Sequence, residues 1–195
     1  MRDGTAGYEK DLDRLVRKLE GMPFEALHGE VLPLFPPPPA RILDLGAGSG
    51  RDAAAFAALG YDVTAVEPTA GLRQRARQLH PSPRIAWIDD ALPDLASLRG
   101  DYDVIMVTAV WMHLEPAERG RGLQRIAALL KPGGLVCLTL RHGPVPPDRR
   151  MFAVADDETI RLAAAAGLAP VVHLAHQVSL SGNPGVTWTR LAFRK

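Results

Sequence analysis

The chain has 195 residues, 47% of them hydrophobic and 23% charged, which is ordinary usage for a folded domain and excludes a wholly disordered chain. Its 23 basic and 22 acidic residues leave a formal net charge of +1, so bulk charge gives no case for a nucleic-acid or other polyanion binder. The single cysteine, Cys137, excludes an intrachain disulfide framework and a thiolate metal cluster.

The opening MRDGTAGYEKDLDRL is charged and lacks the apolar core of a signal peptide. No run reaches the roughly 18–20 apolar residues of a membrane span, so a cytoplasmic protein without a membrane partner is expected. Residues 8–20 read as a helix, because Leu12, Leu15, Val16 and Leu19 recur at helical spacing between charges. A second helical piece is expected over 24–32. LPLFPPPPAR, 32–41, follows; four consecutive prolines predict a stiff extended spacer. One domain is expected over 1–195, divided into a helical N-terminal segment with its linker, 1–40, and a core, 41–195.

From Arg41 onward, β-rich and helical runs alternate. Strands are predicted at 42–46, 62–67, 84–88, 102–110 and 135–140. Helices are predicted at 51–59, 70–79, 116–130 and 156–166, with a short element at 92–98. Such alternation implies a doubly wound α/β sheet with helices on both faces. The last two strand-like runs, 170–180 and 186–194, flank the turn sequence SGNPG, which has no room for a crossover helix. They are expected to form an antiparallel hairpin, completing a mostly parallel sheet of about seven strands.

ILDLGAGSGRD, 42–52, is the strongest local signal. A strand runs into Gly46, Gly48 and Gly50 and a helix starts at once. Glycine there permits a turn that side chains forbid and a close backbone approach to a ligand. The helix N-terminus adds free amides and a positive dipole end. A dinucleotide fingerprint would place its third glycine at position 51, where Arg51 stands, so a nicotinamide dinucleotide fits less well. Glu67 ends the second strand, where a carboxylate can accept bonds from ribose hydroxyls. Asp89 and Asp90 follow the third strand, where an acid can take a bond from an exocyclic amine; Asp90 can equally cap a helix.

These motifs resemble the class I S-adenosylmethionine-dependent methyltransferases. ILDLGAGSG is similar to their first motif, VTAVEPT to the second, IDDAL to the third and YDVIMVTAVWMHL to the fourth. LLKPGGLVCLTL is similar to the run into their fifth strand. The style is that of small-molecule enzymes grouped as type 11 or type 12 domains. The resemblance implies a Rossmann-like sheet with a reversed strand in its terminal hairpin and S-adenosyl-L-methionine as cofactor. It places Gly46, Ala47, Gly48 and Gly50 against the cofactor's methionine and ribose, and has Asp44 either stabilise the loop or touch the cofactor's amino end. It places Glu67 and Pro68 at the ribose, Asp89 or Asp90 and the Ala91 amide at the adenine, and Thr108 beside the methyl group. Tyr8, on the N-terminal segment, would cover the site.

Methyl transfer from a sulfonium is an in-line displacement with an already activated leaving group, so alignment and exclusion of water dominate. A base is needed only for a protonated acceptor. His113, after the fourth strand, is the candidate base or acceptor-positioning residue, with a structural role as the competing reading. Trp111 is a candidate pocket wall or a core residue. Arg141 and His142, opening the basic loop to Arg150, are candidate substrate contacts for an anionic acceptor. Asp52 is given no chemistry. Cys137, inside an apolar strand, reads as inert. His173 and His176, three apart on a strand, are expected on opposite faces, and no metal is expected. The expected activity is therefore methylation of a small molecule. A non-catalytic binding protein or partner subunit and a protein or RNA methyltransferase are the alternatives. The acceptor and the oligomeric state are not set by the sequence.

Overall fold

The computed structural model describes residues 11–195 apart from Ser181 and Asn183. Seven strands form one sheet in the order β3-β2-β1-β4-β5-β7-β6. They are β1 (Arg41–Leu45), β2 (Asp62–Val66), β3 (Ile85–Ile88), β4 (Tyr102–Val107), β5 (Leu130–His142), β6 (Ala169–Val178) and β7 (Thr187–Arg194). The helices are α1 (Leu12–Glu20), α2 (Phe24–His28), α3 (Arg51–Ala58), α4 (Ala70–Leu79), α5 (Pro116–Leu129) and α6 (Asp156–Ala165). Strands β1 to β5 pair in parallel, while β7 runs antiparallel to both β5 and β6. The expected α/β sheet, Rossmann-like, with its antiparallel terminal pair, is thus the observed one.

The central strands alternate between two buried layers, as strands covered on both faces must. Leu43, Leu45, Ile105, Val107, Val136 and Leu138 join one apolar cluster with Leu123 and Ile126 of α5. Ile42, Val104, Met106, Leu135 and Cys137 join the other with Phe24 of α2 and Phe56 of α3. Asp44 lies between Leu43 and Leu45 in register on β1, so it belongs to the second side and is 2% exposed. Burial pushes the Cys137 thiol up to about 12, consistent with an inert side chain.

Three local expectations change. The run at 92–98 contains turns but no helix; Asp90 holds it by accepting the Ser97 N–H at 2.7 Å. Strand β5 begins at Leu130, earlier than expected, because Leu130 pairs with Tyr102 before a register shift at Val104. The proline-rich segment opens with a short 3₁₀ turn, Leu32–Leu34, and its Pro36 carbonyl accepts the Tyr61 hydroxyl at 2.9 Å.

Sheet order reverses between β1 and β4, so the loops after these strands diverge and leave a crevice at their C-terminal ends.

Candidate active site

That crevice holds a cavity of about 760 Å³. Its lining comes from the loops after β1, β2, β3 and β4, from the N-terminal segment around α1 and α2, from β5 and from the β6–β7 hairpin. The floor is the glycine loop. Gly46, Gly48 and Gly50 have φ of +71°, +58° and +86°, the left-handed region that side chains resist. A Cβ on Gly46 would drive into Val110, and one on Gly50 would lie 2.7 Å from the Trp87 ring. The Gly46 and Ala47 amides both donate to the Val66 carbonyl, at 2.8 and 2.9 Å, which ties the loop to the end of β2.

Glu67 completes the tie. Its Oε2 accepts the Gly48 N–H and its Oε1 the Thr69 N–H, both at 2.8 Å. Burial raises its pKa, while these two amides and the Arg73 charge work the other way. Asp44, beneath the loop, is different: its Oδ2 is buried and has no hydrogen-bond partner. Burial, with the negative charge of Asp52 beside it, pushes the Asp44 carboxyl well above the usual range. A buried carboxyl oxygen without a hydrogen-bond partner is costly, and it marks a place where a cationic or donor group from a ligand would be favoured.

Beyond Val110 the cavity continues between His113, Thr139, Arg150, Ser179, Trp188 and Arg190. His113 lies on a single 3₁₀ turn, Trp111–His113. Its Nδ1 is 2.8 Å from the Arg150 carbonyl, so Nδ1 carries the hydrogen and Nε2 the lone pair. Burial lowers its pKa, and the positive charges of Arg149 and Arg141 lower it further. The Arg150 side chain pairs with Glu115 at the start of α5, and its guanidinium carbon lies 4.9 Å from the centre of the Phe152 ring. The Phe152 N–H donates to the Met112 carbonyl at 2.8 Å. The segment after β5 is therefore strapped across the turn that bears His113.

A family model described as a methyltransferase domain matches residues 42–134. Over nearly the whole chain, the fold superposes on the Burkholderia thailandensis 1,6-didemethyltoxoflavin-N1-methyltransferase solved with its substrate and S-adenosylhomocysteine. The TM-score is 0.73 and the identity 25%, covering 97% of this chain and 84% of that one. Residues 42–134 thus match a methyltransferase domain, and the fold is that of S-adenosylmethionine-dependent methyltransferases. A ubiquinone biosynthesis O-methyltransferase of Nitrobacter winogradskyi is 35% identical over 98 residues, 49% of this chain and 36% of the relative. A demethylmenaquinone methyltransferase of Clavibacter sepedonicus is 32% identical over 114 residues, 57% and 46% of the two chains. The chain spans less than half the length of these curated relatives.

Within this methyltransferase domain, Asp44, Gly46, Ala47, Gly48, Glu67, Pro68, Asp90, Ala91, Thr108 and His113 all line the one cavity. Gly50 caps α3 just behind it. Asp90 is 3% exposed, and its two oxygens accept the Ala91 and Ser97 amides, at 2.8 and 2.7 Å. The Ala91 N–H expected to face a ring is therefore engaged by Asp90. Asp89 lies outside the lining and pairs with Arg73 at 3.1 Å.

Other expectations are corrected. Trp111 is fully buried in the apolar layer under α5 and does not wall the pocket, because the 3₁₀ turn points it inward. Arg141 leaves the lining: its guanidinium donates to the Gly143 and Pro144 carbonyls of its own loop. His142 is also outside, with Nε2 3.0 Å from the Thr189 hydroxyl and 3.5 Å from Asp156. His173 and His176 do not point apart. A register shift between Leu174 and Gln177 brings His173 to 2.8 Å from Asp156 and the His176 ring to 6.4 Å from that of His142. Among the described residues no group of three such side chains could hold a metal ion. Tyr8 lies outside the described residues.

Sequence reasoning missed Leu19, Met22 and Leu27 as lining from the N-terminal helical segment, and Arg190 and Ser179 from the hairpin. Their only sequence signal is position on the last hairpin or before the prolines, which does not say which face turns inward. No helix among the described residues is long and apolar enough to cross a membrane.

Proposed function

We propose that this domain transfers the methyl group of S-adenosylmethionine to a small molecule held at the His113 end of the cavity. The observation that carries this reading is the buried Asp44 Oδ2, without a hydrogen-bond partner under the glycine loop, in a cavity that continues to His113 and Trp188. The cofactor suits these residues: Asp44 offers an acceptor for its ammonium, the positive-φ glycines let its backbone neighbours come close, and Glu67 keeps acceptor capacity after its two amide bonds. When bound, S-adenosylmethionine supplies an electrophilic methyl group on a sulfonium.

The chain's own residues then have three tasks. The glycine loop and Glu67 bind and orient the cofactor. Leu19 of α1, Leu27 of α2 and Met22 between them add apolar surface to the cavity, excluding water as a lid would. His113 faces the acceptor side. Its Nδ1–H bond to Arg150 fixes the tautomer, and its lowered pKa keeps the ring neutral near pH 7, so Nε2 accepts a proton from an acidic O–H or N–H. Trp188 suits the flat apolar face of such an acceptor, and Arg150 and Arg190 suit an anionic substituent. A ring acceptor is in keeping with the didemethyltoxoflavin bound by the structural relative.

The test is calorimetric titration with S-adenosylhomocysteine, followed by a screen of phenols, aromatic acids and acidic heterocycles for S-adenosylhomocysteine release. Saturable binding with turnover of one class is expected. Absence of binding overturns the reading; binding without turnover across the screen favours a non-catalytic cofactor-binding protein.

A further inference from the structure

Ala109 lies just past the end of β4, lines the cavity and is exposed, with φ of +57°. A residue with a Cβ resists that left-handed conformation and keeps it only where its surroundings fix it. The turn ends β4 and sets the direction of the residues that follow. Val110 comes to rest against the glycine loop, where a Cβ on Gly46 would drive into it. The Val110 carbonyl then accepts the His113 N–H at 2.9 Å, closing the 3₁₀ turn that carries the imidazole.

The group that fixes Ala109 comes from the neighbouring strand. Thr139 of β5 accepts the Ala109 N–H on its Oγ1 at 2.8 Å. The last β4–β5 pair is Val107 with Leu138, so Thr139 stands one step beyond the ladder, level with the turn. Leu138 and Leu140 on either side of it belong to the apolar layer under α5, so Thr139 faces the other way, and it lines the cavity. Strand β7 supports it from the far side through the Thr139–Arg190 pair. With the Ala109 amide satisfied by a side chain instead of the ladder, the chain turns away from the sheet without leaving a polar group unpaired.

We propose that Thr139 is a positioning residue for the acceptor end: its hydroxyl oxygen holds the left-handed turn at Ala109 and so aims Val110 and His113 into the cavity. This rests on the reading of the His113 end as the acceptor site. It also explains a threonine in the otherwise apolar run LVCLTL, 135–140. Valine would fill the same space in a strand but offers no oxygen.

The experiment follows the His113 ring by NMR through a pH titration of the full chain. Burial sets its midpoint below the ordinary histidine value in the wild type, and the positive charges of Arg149 and Arg141 act the same way. Those groups, with Glu115 and Arg150 on the cavity wall, are untouched by the variants. Thr139→Val removes the oxygen and should raise the midpoint by about half a pH unit or more as the ring leaves its buried setting. Thr139→Ser keeps the oxygen and should titrate as the wild type does. Ala109→Val, a β-branched residue that resists left-handed backbone, should reproduce the Thr139→Val shift with the oxygen in place. His80, at the end of α4, should titrate alike in every variant, and thermal melts check that each is folded. An unmoved His113 in Thr139→Val overturns the proposal. So do equal shifts in Thr139→Val and Thr139→Ser, or a His80 shift that follows that of His113. Should Thr139→Val fail to fold, Ala109→Val and Thr139→Ser decide. Calorimetry of the wild type with S-adenosylhomocysteine tests the cavity separately: no binding overturns the cavity reading, while the His113 titration still decides the turn. With any acceptor that the wild type methylates, Thr139→Val should lower kcat roughly tenfold or more, and an unchanged kcat overturns the proposal.

Discussion

The Gly48 N–H donates to Glu67 Oε2 at 2.8 Å, so the residue expected to read a ribose also shapes the glycine loop that floors the cavity. Glu67 therefore has two separable contributions. Glu67→Ala should remove the ribose contact and leave the Gly48 amide without its acceptor, weakening S-adenosylhomocysteine binding by about 1–3 kcal/mol. The melting temperature should also fall, because the Thr69 amide loses its partner as well. Glu67→Gln keeps one carbonyl acceptor and should recover part of the stability but less of the affinity. Titration calorimetry and thermal melts on both variants check this; equal affinity of Glu67→Ala and wild type removes the ribose assignment.

The strands, the terminal hairpin and the glycine-loop end of the cavity were legible because apolar β-rich runs and a strand–glycine loop–helix sequence are local signals. Asp44, Glu67 and Asp90 all sit at strand ends, where topology alone carries them to one edge. The acceptor end was not legible in the same way. Trp111 and His113 are two residues apart, yet one is fully buried in the core and the other lines the cavity. Only the 3₁₀ turn separates them, and nothing in TAVWMHL marks it. Arg141 turned onto its own loop, and the β6 register shift rotated His176, because both depend on backbone geometry that residue type does not encode. Arg51 and Asp52 looked like ordinary first-turn residues; their bonds to Leu19 and His28 span segments distant in sequence.

Asp44 predicts a conflict between stability and binding. Its carboxyl pKa is raised in the folded protein, so the unliganded fold loses stability as pH rises through that value. A ligand ammonium favours the ionised form. S-adenosylhomocysteine binding should therefore tighten with rising pH and release a proton, seen as a buffer-dependent heat. Asp44→Asn should melt higher than wild type at alkaline pH without ligand, bind more weakly and lose the proton release. A pH-independent wild-type affinity with no buffer dependence would sink this account.

Gly46→Ala tests the floor directly. The position has φ of +71°, and a Cβ would meet Val110. Left-handed backbone costs a non-glycine residue roughly 1–2 kcal/mol, before the clash is counted. The variant should be destabilised and its cofactor affinity lowered. Adding Val110→Ala removes the clash but not the backbone strain, so it should restore only part of the loss. Complete recovery in the double variant, measured by melting and calorimetry, would mean that steric contact alone fixes glycine here.

His113 makes the sharpest prediction about chemistry. If its neutral ring takes a proton from the acceptor, kcat should be level near neutrality and fall in acid, with the midpoint below the ordinary histidine value, since burial and nearby arginines disfavour the charged ring. His113→Gln should lower kcat by about 10²–10⁴ and erase the acid limb. Arg149→Gln removes a neighbouring positive charge, which favours the imidazolium, so the limb should move to higher pH while the plateau holds. Glu115→Gln releases the Arg150 side chain whose carbonyl sets the tautomer, and should lower kcat more than it raises KM. Profiles of kcat against pH decide between a base and a purely structural histidine: a structural role predicts a limb that no arginine substitution moves.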